Sequence, residues 1–164
     1  MTTIFDFKEY YEHGKEGENI IAEYLRSIGR KVDFLPRERQ KEGDLLINDS
    51  HTMEVKTDLL KAEPRNLALE YAVTYFDKGS RDGAIFTQAD FFLYYFQKHD
   101  YYYLMTQTQL AQARYNMFSD CKNFFRAVAQ NAEWFSSMFL YPIDRLEHEE
   151  LCLKAVSYTH LRAH

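Results

Sequence analysis

Residues 44–56 read DLLINDSHTMEVK, and how this stretch folds decides the architecture around it. Leu45, Leu46 and Ile47 form a short β-prone run, and Thr52, Met53, Glu54, Val55 and Lys56 form a second. Between them stand Asn48, Asp49, Ser50 and His51, and turn formers between two such runs spell a hairpin. Side chains two apart on a strand share a face, so Glu54 and Lys56 project together while Met53 and Val55 point the other way. Asp44 begins the first strand opposite the end of the second. Two carboxylates and an ammonium therefore converge at one end of the hairpin. Burying such a group is costly unless a cation or a partner compensates the acids.

That donor set suits hydrolysis of a phosphodiester. Mg²⁺ prefers hard oxygen ligands and commonly takes one or two carboxylates with substrate phosphate and water. Asp44 and Glu54 are the expected ligands of Mg²⁺ or Mn²⁺, with the backbone carbonyl of Val55 as a third. Lys56 would position or deprotonate the attacking water, or stabilise charge on the phosphate. The same spacing also fits an exposed, salt-bridged hairpin, because an Asp with Glu-x-Lys downstream arises often by chance.

Upstream, residues 16–28 carry Ile20, Ile21, Tyr24, Leu25 and Ile28 at three- and four-residue spacing, which predicts an amphipathic helix closed by Gly29. Residues 31–35 predict a strand stopped by Pro36, and residues 37–42 a polar loop. Arg26, Arg30, Lys31, Arg37, Arg39 and Lys41 form a basic run that is the candidate DNA-backbone surface, or else an ordinary solvated one. Downstream, Leu67, Leu69, Tyr71 and Val73 alternate with small or polar residues, the period of a strand over residues 66–74. Residues 78–83 predict a loop, 84–86 a brief strand, and 91–96 with 101–105 a second hairpin. Residues 108–115 and 120–134 predict helices, 139–143 a closing strand and 146–153 a last helix.

The stretch from Gly17 and Glu18 through Leu25 to Gly29, then Gly43, Asp44, Glu54, Val55 and Lys56, and then the NLALEY strand, resembles the PD-(D/E)XK nuclease superfamily. It is most similar to archaeal Holliday junction resolvases and small phage or prophage nucleases. The resemblance covers the chain from about Gly14 to Leu104, more loosely at its end; Gly43 stands where the superfamily name places a proline. It implies an α/β fold, a restriction-endonuclease-like core with a central mixed sheet flanked by helices. It also implies that Glu18, on the helix before the sheet, assists metal binding and catalysis. DNA is the implied partner. A catalytically silent nucleic-acid- or protein-binding module with the same fold is the alternative.

Other residues carry weaker readings. Glu70 could face the site from the next strand. Glu23 rivals Glu18 but reads better as solvated, and Asp90 reads as a helix cap before it reads as a ligand. Lys61 and Arg65 could meet DNA or be surface charge. The aromatic run at residues 91–103 fits a buried hairpin or a dimer surface better than a base-stacking platform. The six histidines show no zinc-ligand pairing.

The bulk numbers bound these readings. The chain has 164 residues, 46% of them hydrophobic and 27% charged, which predicts one globular domain over residues 1–154. A net charge of −5 argues against a protein that coats nucleic acid through bulk positive charge. Two distant cysteines, Cys121 and Cys152, fit a reducing cytosol. No signal peptide or membrane-spanning run is recognised, so a cytoplasmic protein is expected, in the host cytoplasm if phage-encoded. A homodimer is compatible with the aromatic content. Residues 155–164 (AVSYTHLRAH) break the pattern and resemble a non-native, read-through tail.

Overall fold

A computed structural model describes residues 7–156. Helix α1 (Phe7–Ser27) comes first and ends ahead of Gly29, whose φ of 91° is the left-handed geometry that glycine adopts without strain. After it come β1 (Val32–Phe34), a 3-10 turn (Arg37–Glu42), β2 (Leu45–Ile47) and β3 (His51–Asp58). Then follow β4 (Asn66–Tyr75), β5 (Gly79–Asp82), a 3-10 turn (Ala84–Phe86), β6 (Phe91–Phe96) and β7 (Tyr101–Thr106). The chain continues through α2 (Gln107–Ser119), β8 (Phe125–Gln130), β9 (Trp134–Pro142), α3 (Ile143–His148) and β10 (Leu153–Val156).

The strands build two sheets. The central one runs β1-β2-β3-β6-β7-β10, antiparallel except where β6 lies parallel to β3. The second, β5-β4-β9-β8, is antiparallel throughout. Met53 and Val55 of β3, with Leu93 and Tyr95 of β6, pack against Ile21 and Ala22 of α1. The opposite face presents Phe92, Tyr94 and Phe96 to a core shared with Leu67 and Leu69 of β4, Phe139 and Tyr141 of β9, and α2. Each Leu or Phe fully buried there contributes about 1.5–3 kcal/mol, so the second sheet is welded to the first by its core. The result is a mixed α/β fold with a central mixed sheet flanked by helices, as the sequence predicts.

The parallel register sets Glu54 beside Phe92 and Lys56 beside Tyr94, so both charged residues emerge on the face that looks toward the second sheet. Tyr94 bridges the two layers: its hydroxyl donates to Asp58 at 2.7 Å and accepts the Ala68 amide at 3.2 Å. Ala68 lies beyond the stretch of β4 that pairs with β5, and the tyrosine serves its N–H on that open edge.

Several elements differ from their sequence reading. Residues 120–134, read as a helix, form a 3-10 turn (Cys121–Asn123), the edge strand β8 and the turn into β9, which begins at Trp134. Asn131 makes that turn, its side-chain oxygen accepting the amides of Glu133 at 2.8 Å and Trp134 at 2.9 Å. The local helix propensity of Arg126, Ala127 and Ala129 yields to sheet pairing. Residues 79–82 pair with β4 where a loop was expected, and Ala84–Phe86 is a 3-10 turn, not a strand. The last helix begins earlier and is shorter than read, because β10 takes up the following residues. Ala155 and Val156 pair with β7, so the strand crosses into the stretch read as a tail. The rest of that stretch, and residues 1–6, lie outside the described residues. No helix among the described residues is long and apolar enough to cross a membrane.

Candidate active site

Gly43 prepares the entry into β2. Its φ is 124°, and a Cβ there would come within 2.8 Å of the Met53 carbonyl, so the chain passes β3 closer than any side chain permits. Proline, locked near a φ of about −65°, could not take this conformation. The next residue, Asp44, donates its amide to Met53 O at 2.8 Å and accepts the Val55 amide on Oδ2 at 2.8 Å. The β2–β3 ladder ends at the Leu45–Met53 pair. The Val55 N–H, two residues further, has no β2 residue opposite it and is taken by the carboxylate instead. On the face toward the second sheet, Lys56 Nζ lies 3.6 Å from Glu54 Oε1.

Crowding of the acids shows in their proton affinities. Burial pushes the Glu54 carboxyl up to about 7; Lys56 pulls against the shift, while Asp44 and Glu18 add to it. Burial also raises Asp44, against the Val55 N–H and the charges of Lys56 and Lys15. Glu18 is raised by burial and then by Asp44, although Lys15 pairs with it at 2.9 Å. For Lys56 burial works downward, but Glu54, Glu70 and Asp44 outweigh it and hold the ammonium above its usual value, with Arg81 opposing. At neutral pH Lys56 is thus a cation that can hold an anion. It is not a free base while these acids stay uncompensated.

The sequence-predicted residues fall into distinct groups. Asp44, Glu54, Val55 and Lys56 stand together. Glu18 sits on α1, buried and within electrostatic reach of Asp44, but among the described residues no three His, Cys, Asp or Glu side chains meet closely enough to hold a metal. A hard cation would rest on two carboxylates, a carbonyl and water, a set of oxygens that fits Mg²⁺. Glu70 accepts the Ser136 hydroxyl at 2.5 Å and the Ala84 amide at 3.3 Å, and its charge reaches Lys56.

The basic run is split. Arg26 is occupied by Glu23 at 2.7 Å, by the Val32 carbonyl and by the ring of Phe34. Lys31 pairs with Asp49 and Arg39 with Glu42. Arg30, Arg37 and Lys41 remain exposed. An open polar groove of about 360 Å³, lined by Arg39, Glu42, Leu46, Thr52, Gln88 and Asp90 among others, adjoins the hairpin. Thr52 shares the strand face of Glu54, so the groove leads toward the acids.

Asp90 caps no helix. Its carboxylate accepts the Thr52 amide at 2.9 Å and ties the start of β3 to β6. The aromatic run is mostly buried in the core, where bases could not reach it. Lys61 and Arg65 are exposed. The sequence reading passed over Tyr75, Lys78, Arg81 and Ser136, all on the second sheet or its connecting turn. Plain alternation along β4 would set Tyr75 on the face opposite Glu70; the register shift between Glu70 and Ala72 is what brings them to one face.

No family profile matches this chain, and no curated protein does. Its fold is similar to that of a bacterial homing endonuclease of known structure, with a TM-score of 0.50 at 14% identity over 66% of this chain and 74% of that one. The fold is therefore nuclease-like.

Proposed function

We propose that the chain is an endonuclease that hydrolyses DNA phosphodiester bonds with the help of Mg²⁺ or Mn²⁺. The observation that carries this reading is the meeting of Asp44, Glu54 and Lys56 at the open end of the β2–β3 ladder, inside a nuclease-like fold. Asp44, Glu54 and the Val55 carbonyl would hold the ion. Once bound, it would polarise the phosphoryl group and acidify water. The chain's own part is to fix Asp44 through the Val55 amide, keep Glu54 half-compensated by Lys56, and present a permanent cation to the phosphate. Glu18 tunes this pair from α1 by charge. The spacing of Glu18, Asp44, Glu54 and Lys56 extends the proposal to the PD-(D/E)XK superfamily. The resemblance to Holliday junction resolvases makes a four-way junction a candidate substrate, whose symmetric cutting takes two copies of the chain.

Linear duplex, single-stranded and four-way-junction DNA, each incubated with Mg²⁺, Mn²⁺ or EDTA and resolved on gels, test the proposal. Cleavage of at least one substrate with either metal, absent in EDTA and absent in Asp44→Asn, is expected. DNA binding without cleavage under every condition would favour the silent-module alternative.

A further inference from the structure

Beyond the hairpin site, the second sheet carries an unclaimed cluster of positive charge. Arg81 on β5 pairs in register with Val73 on β4, and Val73 pairs with Ser136 on β9. Cross-strand partners share a face, so these residues form one row. Glu70 joins that row through the Ser136 hydroxyl. Tyr75, two residues beyond Val73, points the same way. Its hydroxyl accepts from Arg81 Nε at 3.2 Å, and the Arg81 guanidinium lies 6.0 Å from the centre of its ring. Lys78 Nζ sits over the same ring at 4.5 Å.

Two cations thus share one tyrosine. Among the described residues neither forms an ion pair with a carboxylate, although Asp77 and Asp82 are their neighbours in sequence. Asp82 pairs with Ala72 and so lies on the other face from Arg81. The row begins at Glu70, whose charge and that of Arg81 are both felt at Lys56. The arm is braced: Tyr75 pairs with Trp134, and the Phe76 amide donates to the Glu133 carbonyl at 3.1 Å. Like charges gathered on a rigid support repel one another until an anion joins them, and a polyanion satisfies several at once.

We propose that Tyr75, Lys78 and Arg81 hold the phosphate backbone of bound DNA, leading it along the second sheet to the Asp44, Glu54 and Lys56 site. The proposal rests on the nuclease reading and names the surface that reading lacks, since half of the basic run in residues 26–41 is already engaged with acids or carbonyls.

The test is the salt dependence of binding to a labelled linear duplex, measured with the full chain in EDTA so that no cleavage intervenes. Each lost phosphate contact should lower the slope of log affinity against log salt by about 0.9. Lys78→Ala and Arg81→Ala should each show that loss and the double variant about twice it, with unchanged circular dichroism. Arg81→Lys should keep the slope. Lys154→Ala is the control: this lysine also sits over a tyrosine ring, Tyr101 at 4.5 Å, but on the far edge strand of the central sheet. Wild-type slopes in Lys78→Ala and Arg81→Ala, with wild-type DNA binding intact, would overturn the arm and leave the nuclease proposal standing. A wild-type chain with no salt-dependent affinity for DNA would overturn both.

Discussion

At the scale of single residues, Lys56 is the member whose charge state matters most. Three acids surround it and keep it protonated, so its contribution to hydrolysis is electrostatic: a fixed cation where negative charge grows on the phosphate. Lys56→Ala should lower kcat by about 100- to 1,000-fold, the usual cost of one removed charge-stabilising donor, with KM changed little. Lys56→Arg should recover part of the loss, since it restores charge but not a compact point donor. Steady-state cleavage kinetics check both, and an equal drop in the two variants would mean that proton transfer, not charge, is the role of Lys56. That Asp44, Glu54 and Lys56 would converge was legible in the alternation of one strand and the turn before it. Arg81 was not legible: its place near Lys56 comes from the pairing of β5 with β4, and residues 79–82 look like a loop until that pairing is known.

Between elements, α1 passes close to β3 at Gly17. A Cβ on Gly17 would fall on the Thr57 hydroxyl and lie 2.8 Å from its Cβ, and Thr57 is the neighbour of Lys56. The Thr57 hydroxyl is itself buried without a hydrogen-bond partner, squeezed against helix backbone. Glycine inside a helix normally costs about 1 kcal/mol relative to alanine, so Gly17→Ala would stabilise an isolated helix. Here the packing should reverse the sign: the melting temperature falls, because α1 must lift from β3 and carry Glu18 away from Asp44. Adding Thr57→Ala removes the hydroxyl and methyl from the contact and should restore part of the loss. A Gly17→Ala protein that melts above wild type would refute this account of the contact. The helix was readable from its apolar spacing, and so was the hairpin it covers. Residues 120–134 misled for the opposite reason: their composition suits a helix, and it is the Asn131 turn and pairing with β9, the next strand of the same hairpin, that make β8 a strand. On the edge of a sheet, a hairpin of helix-favouring residues is hidden by its own composition.

The whole molecule joins two layers around acids that the fold alone does not neutralise, and this has a measurable consequence for stability. The native carboxyl of Glu54 is held at about 7, and those of Asp44 and Glu18 are also raised by burial. Raised native values mean that the folded state binds more protons than the unfolded chain between the ordinary carboxylate range and about 7. Stability from these groups is therefore complete at low pH, and is lost as pH rises through the native value of Glu54. In EDTA, the melting temperature of wild type relative to Glu54→Gln should fall across that window, because the amide has no proton to lose. A divalent cation replaces the proton as the compensating charge, so added Mg²⁺ should raise the wild-type melting temperature more above the Glu54 value than below it. The same addition should do much less to Glu54→Gln at either pH. Thermal melts of the two proteins, with and without metal, decide the matter. A wild-type and Glu54→Gln difference that stays constant from acid to alkaline buffer would mean that Glu54 is already compensated within the fold. The two-layer core would then owe nothing to a bound ion.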